Sequence, residues 1–161
     1  MNEVERIVRA HEPALRRLAA SYEANPAQRE DLVQDMLLAL WRALPKFRGE
    51  SSERTFVYRV AQNRAFSHLL RRRPPQDDLD QAAGEPDPRP GPEELAVSSQ
   101  RRKALWAALR KLPLAARQVL ILALEELPLR EIAEILDITE NNAAVRLSRA
   151  RAALRDTLEE R

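Results

Sequence analysis

The sequence predicts an all-α protein: two small helical domains joined by a flexible, acidic, Pro-rich linker. Three observations lead there. Only three Gly in 161 residues leave few of the turns that a many-stranded β fold needs. Apolar residues recur at three- and four-residue spacing along several long stretches. Six of the eleven Pro and two of the three Gly fall between Pro74 and Pro92, where so few apolar residues remain that burial cannot offset the entropy of ordering.

In chain order, the first helix is expected over roughly residues 3–22 (Val4, Ile7, Val8, Leu15, Leu18), with Pro13 predicting a kink or a division. Asn25-Pro26 reads as an N-cap followed by Pro at the first helical position. Leu32, Val33, Met36, Leu37, Leu40, Trp41 and Leu44 then give an amphipathic helix of about five turns, ending at Pro45. A third helix opens near Ser51 or Ser52 and closes at Arg73 before Pro74. Beyond the linker, Leu105, Trp106, Leu109 and Leu112 mark a helix up to Pro113, and another follows over about 115–125. A short helix Leu129 to Leu136, a break at Asp137-Ile138-Thr139 and a long helix from about Glu140 to Leu158 form a helix-turn-helix pattern. Ala133 sits where those two helices approach, with Ile132, Leu136, Ile138 and Leu147 as their small core.

The formal charge of +2 hides a partition. Residues 1–75 carry 14 Lys/Arg against 9 Asp/Glu, residues 76–97 carry 1 against 7, and residues 98–161 carry 12 against 9. Two basic blocks thus flank an acidic one, and the acidic linker is expected to fold back over them when no partner is bound. The absence of Cys excludes disulfides, thiolate metal sites and a cysteine nucleophile. No apolar run approaches the ~18 residues of a membrane span and the N-terminus lacks a signal peptide's hydrophobic core, so a cytoplasmic protein without direct membrane insertion is expected. His11 and His68 are lone residues, and neither a metal-ligand spacing nor a phosphate-binding Gly loop is present. Neither catalytic residues nor a cofactor nor a metal is expected, and hence no enzyme.

Three constellations remain. The N-terminal residues of the last helix, Glu140, Asn141, Asn142 and Ala144, would face base edges in a major groove, with Arg146, Arg149, Arg151 and Arg155 reaching phosphates or guanine; a solvated helix with ordinary Arg decoration is the other reading. Between Phe47 and Arg73, the aromatics Phe47, Phe56, Tyr58 and Phe66 alternate with Arg48, Arg54, Arg59, Arg64 and Arg71-Arg72-Arg73. That pattern suits stacking on exposed bases while cations follow the backbone, and equally suits a small domain's core. Glu30, Asp31, Gln34 and Asp35 share or adjoin one helix face, where they either stabilise the helix N-terminus or meet a basic partner. Ser51, Ser52 and Thr55 read as helix caps or as phosphorylation sites.

With these residues in hand, the chain resembles a bacterial RNA polymerase sigma factor of the extracytoplasmic-function (ECF) group, in the sigma-70 family. Three strings carry the resemblance: Glu30-Asp31-Leu32-Val33-Gln34-Asp35 leading to Leu40-Trp41; Phe47-Arg48-Gly49-Glu50 followed by Thr55 to Arg64; and Leu129 to Leu136 leading to Arg146-Leu147-Ser148-Arg149-Ala150-Arg151. The resemblance implies sigma domain 2 over residues 1–73, a linker over 74–93 and sigma domain 4 over 94–161. It implies that Asp31, Gln34, Asp35, Leu38 and Trp41 dock on the β′ clamp helices of core polymerase. Phe47, Arg48, Gly49, Phe56, Tyr58, Arg59, Gln62, Asn63, Arg71 and Arg72 would recognise and melt the minus-10 element. Arg130, Glu140, Asn141, Asn142, Arg146, Arg149 and Arg151 would read the minus-35 element, in a domain that also meets the β flap. An anti-sigma factor is an implied partner, and the free protein an implied monomer. The chain departs from the family's usual residues at Phe56 (Trp), Asp137 (Gly), Ala143 (Val) and Ala144 (Lys or Arg), and Asn141 and Asn142 are expected to compensate for the last. Two other functions fit the residues without the resemblance: a stand-alone helix-turn-helix regulator of duplex DNA, and a helical adaptor for an acidic protein.

Overall fold

The structure, a computed structural model, describes residues 1–71 and 93–160. Arg72 and the linker expected over 74–93 therefore lie outside the described residues, apart from Glu93, and so does the expected folding back of that linker. Seven α-helices occur among the described residues: α1 Glu3–Tyr22, α2 Pro26–Ala43, α3 Glu53–Arg71, α4 Glu93–Lys111, α5 Leu114–Leu124, α6 Leu129–Leu136 and α7 Glu140–Glu159. A 3-10 turn, Leu44–Lys46, follows α2.

Among the described residues, four helices start where a side chain supplies a cap, while α5 and α6 follow Pro113 and Pro128 with no side-chain cap. Asn2 and Glu5 form a reciprocal capping box at α1, with Glu5 N–H donating to Asn2 Oδ1 at 2.8 Å. Asn25 Oδ1 accepts from the amides of Ala27 and Gln28 at 2.9 and 3.1 Å, ahead of Pro26 at the start of α2. Ser52 Oγ accepts from Thr55 N–H at 3.1 Å before α3, and Thr139 Oγ1 from Asn142 N–H at 3.0 Å before α7.

Contrary to the expected division at Pro13, α1 runs unbroken through it. Pro13 lies on the exposed face, so water can satisfy the Arg9 carbonyl that loses its intrahelical donor. The fourth helix begins at Glu93, a dozen residues before the apolar spacing becomes regular at Leu105.

Helices α1, α2 and α3 pack as a three-helix unit around Leu15, Leu18, Leu32, Met36 and Leu40, all essentially inaccessible to water. Burying each such side chain contributes about 1.5–3 kcal/mol. Helices α4 to α7 surround Leu109, Ile121, Leu122 and Ile132, and α6 packs against α7, with the small side chains of Ala133 and Ala143 buried. With Gly scarce, two helix ends place other residues in the left-handed conformation. Glu126 (φ 64°) follows α5 and Asp137 (φ 56°) follows α6. In the second case Ile138 N–H donates to Ala133 O at 3.0 Å and Asp137 N–H to Glu134 O at 3.4 Å, the pair of bonds of a Schellman ending.

The two helical units also pack on one another: α6 lies against α3, while α4 and α5 lie against α1. The linker composition carries no sign of this, because much of the contact is made by charged side chains that read in sequence as solvated faces.

Candidate nucleic-acid and partner interfaces

The expected polymerase-facing residues lie along one side of α2. Asp31 and Gln34 are exposed, and Gln34 Nε2 donates to Glu30 Oε1 at 3.1 Å. Arg16 pairs with Glu30 at 2.8 Å and, with Gln34, holds the Glu30 carboxyl below its ordinary pKa. Asp35 is engaged within the fold, its Oδ2 3.3 Å from both Arg64 and Arg71. Leu38 and Trp41 continue the row, 48% and 44% exposed on a helix whose other large apolar residues are mostly buried.

The expected single-strand platform is divided by the fold. Phe47 and Phe56 stack at the entrance of α3, ring centroids 4.5 Å apart and tilted by 34°. Between them Arg48 and Gly49 are exposed, and Gly49 takes φ +76°, a conformation natural to Gly. Arg59, Asn63, Phe66 and Arg71 are exposed on α3. Tyr58 and Gln62 are 4% and 3% exposed. Tyr58 Oη donates to Glu125 Oε2 at 3.2 Å, and burial first, then the Glu125 charge, raises the phenol's pKa. Gln62 Oε1 accepts from Tyr22 Oη, while its Nε2 is buried with no hydrogen-bond partner. Gln62 also lines an open cleft of about 520 Å³ between α3 and α6, with Arg59, Asn63, Phe66, Ile135 and Asp137 on its other walls.

On the helix-turn-helix, Arg130, Glu140, Asn141, Arg149 and Arg151 are exposed. Asn142 Oδ1 accepts from Arg146 Nε at 3.1 Å, fixing the guanidinium of one expected reader against the amide of another. At 100° per residue, Asn141, Asn142, Arg146 and Arg149 share one side of α7, and Arg151 stands about 160° round from Arg149. Of the expected residues on α7, Asn141, Asn142, Arg146 and Arg149 are thus brought together, while Glu140 and Arg151 lie about 20° apart on another side of the helix.

Sequence reasoning missed both histidine partners. His68 Nε2 lies 2.9 Å from Glu23 Oε1, a fully buried carboxylate, and His11 Nε2 lies 3.3 Å from Glu53. It also missed Arg110 and Arg117 of the C-terminal unit. Arg110 donates to Ala20 O at 2.8 Å, and Arg117 stands 5.7 Å from the Tyr22 ring centroid; burial lowers the pKa of both. Nothing in the spacing of these residues pointed across the linker. Among the described residues no helix is long and apolar enough to cross a membrane.

A helix-turn-helix beside a second helical unit with an aromatic and arginine-bearing helix defines a DNA-binding transcription protein of all-α build. Family comparison makes this specific: residues 7–74 match the model of Sigma-70 region 2, and residues 102–154 that of Sigma-70, region 4. The chain belongs to the sigma-70 family of RNA polymerase sigma factors, in its ECF group. It is 34% identical over 134 residues to the ECF RNA polymerase sigma-E factor of Escherichia coli K12, covering 77% of this chain and 70% of that protein. It is 29% identical over 157 residues to the RNA polymerase sigma factor CnrH of Cupriavidus metallidurans, covering 92% and 82%. The fold matches CnrH in complex with the cytosolic domain of CnrY, with TM-score 0.70, 24% identity and coverage of 98% and 88%. It also matches the sigma factor RpoE in complex with the anti-sigma factor NepR from Bartonella quintana, with TM-score 0.72, 20% identity and coverage of 99% and 98%. The protein is therefore a sigma factor, a non-catalytic subunit of RNA polymerase that directs transcription initiation.

Proposed function

We propose that the unit within residues 1–73 binds core polymerase and melts the minus-10 element, and that the unit within 94–161 reads the minus-35 element and meets the β flap. Asp31, Gln34, Leu38 and Trp41 dock on the β′ clamp helices, with Asp35 held beside them by Arg64 and Arg71. Phe47, Arg48, Gly49 and Phe56, with Tyr58, Arg59, Gln62, Asn63, Arg71 and Arg72, take the melted strand. Arg130, Asn141, Asn142, Arg146 and Arg149 contact the upstream duplex, and Glu140 and Arg151 contribute from another side of α7. The free protein is a cytoplasmic monomer, and an anti-sigma factor is a partner, as the solved complexes of CnrH and RpoE suggest by kinship.

The observation that carries this reading is the α2 row: two large apolar side chains nearly half exposed, continuous with two exposed polar ones. Exposed aromatic residues in such rows anchor protein interfaces. Labelled protein titrated with purified core polymerase should bind with submicromolar affinity and be displaced by the housekeeping sigma factor. The Asp31→Ala/Gln34→Ala/Trp41→Ala variant should bind weakly. Wild-type protein that ignores core polymerase yet retains duplex affinity would transfer the reading to a stand-alone regulator.

A further inference from the structure

Val145 is an apolar residue on the outward face of α7. The buried line of that helix is Ala143, Leu147 and Ala150, with Leu154 packed on the core beyond them. At 100° per residue Val145 stands about opposite that line, and its side chain is 39% exposed. Helix propensity does not account for its presence, since a β-branched residue is a poorer helix former than Ala or Lys at an outward position.

The surroundings of Val145 are polar. Asn141 lies about 40° to one side and Arg149 about 40° to the other, both exposed, with Asn142 and Arg146 further round on the Arg149 side. A single Val among hydrogen-bond donors is too small an apolar area for a protein docking patch, which is normally contiguous. It does match a base edge. Among the groups that base pairs present in the major groove, the 5-methyl of thymine is the apolar one, and small apolar side chains contact it.

We propose that Val145 reads the 5-methyl group of a thymine in the upstream duplex element. Val145 is the sixth residue of α7, within the N-terminal part that a recognition helix turns toward base edges. Its branched end packs on the methyl while Asn141 and Arg149 engage base edges or phosphates on either side. Contacts to phosphates position the helix without distinguishing bases, whereas the methyl separates thymine from cytosine and fixes the orientation of the A·T pair. This rests on reading α7 as the minus-35 helix.

The test uses the full chain reconstituted with core polymerase. Selection from duplexes carrying a long randomised block gives the promoter that this holoenzyme prefers. Each thymine of its upstream element is then replaced in turn by deoxyuridine, which removes the methyl and keeps the base pair. At one or two positions wild-type holoenzyme should lose about three- to fivefold in affinity, the worth of one buried methyl. Val145→Ala, which favours the helix, should bind the thymine promoter more weakly by a similar factor. It should lose nothing further with deoxyuridine at those positions, because both changes delete one side of the same contact. Leu158→Ala is the control: Leu158 is 38% exposed on the same helix but about 140° round from Val145. That variant should respond to deoxyuridine as wild type does.

Wild-type indifference to deoxyuridine at every upstream position overturns the proposal. So does an upstream element with no thymine on either strand, or a Val145→Ala loss that adds in full to the deoxyuridine loss. Arg149→Ala checks the minus-35 reading separately. If it binds the selected promoter and its upstream mutants as wild type does, α7 is not the reader and the proposal falls with that reading. If Arg149→Ala is weakened while deoxyuridine changes nothing, the reading of α7 stands and the role of Val145 alone is overturned.

Discussion

Arg54 on α3 and Glu131 on α6 are 77 positions apart in sequence, yet the guanidinium donates to a single oxygen, Glu131 Oε2, from Nη2 at 2.8 Å and from Nε at 3.1 Å. The carboxylate side is mostly shielded, 15% exposed, and the guanidinium side is 45% exposed. A pair so placed should couple the two helical units by about 0.2–1 kcal/mol. Urea unfolding of the Arg54→Ala and Glu131→Ala variants and their double variant should return that coupling energy. At 1 M salt, where screening acts over ~3 Å, most of the coupling should vanish. A coupling of zero at low salt would mean that the pair does not form in solution.

Gly49 lies in the loop between the 3-10 turn and α3, at φ +76° with no atom within 4 Å of a built Cβ. Any loss on Gly49→Ala is therefore backbone strain, about 1–2 kcal/mol in the left-handed region. Because the loop aims Phe47 and Arg48, the strain should appear in promoter opening and not in core binding. Run-off transcription by Gly49→Ala should fall on duplex template and recover on a template with a premelted minus-10 region. An equal loss on both templates would place Gly49 in polymerase binding instead.

Local structure was legible in the sequence because its signals are local. Asn25-Pro26, the Leu32 to Leu44 periodicity and the Leu129 to Leu136 helix all lie within a few residues of what they determine, and the structure reproduces them. Pro13 does not divide α1 for a reason equally local: it lies on the face that meets water. The contact between the units was not legible. Arg17, Glu125 and Glu131 look like ordinary surface charges until α6 is set against α3, and the histidines look solitary until Glu23 and Glu53 arrive from other helices. Of the nucleic-acid candidates, Tyr58 and Gln62 are the two whose environment sequence could not supply.

Asp137 closes α6 in the left-handed conformation, φ 56° and ψ 50°. Asp tolerates that region better than most residues but less well than Gly. Asp137→Gly should relieve the strain and stabilise the protein by about 0.5–1 kcal/mol, since the Schellman bonds involve backbone alone. Asp137→Val should destabilise it by about 1–2 kcal/mol. Thermal melts of the three proteins should rank Gly above Asp above Val. Gly falling below Asp would show that the Asp137 side chain itself holds the turn.

Asn142 accepts from Arg146 Nε at 3.1 Å one helical turn away. Its amide oxygen is therefore engaged in holding the Arg146 guanidinium in place. Asn142→Ala and Arg146→Ala should each weaken duplex affinity by about 1–3 kcal/mol. The double variant should be scarcely worse than either alone, since both remove the same contact. Losses that add in full would instead make Asn142 an independent reader of adenine.

Trp41 and Met36 separate partner binding from folding on one helix. Met36 is fully buried between α1 and α3, and Met36→Ala should cost about 2–5 kcal/mol of stability. Trp41 is 44% exposed, so in the free protein its truncation leaves a gap open to water, and Trp41→Ala should cost about 1–2 kcal/mol, less than Met36→Ala. Against core polymerase the order reverses. An aromatic side chain covered at the centre of an interface is worth about 2 kcal/mol or more, which is roughly a thirtyfold loss in affinity on truncation. Equilibrium unfolding and core-polymerase titration of the same two variants therefore give opposite rankings if α2 is the polymerase-facing helix. If Trp41→Ala binds core polymerase as wild type does, that helix faces something else, and the exposed Leu38 and Trp41 row needs a different partner.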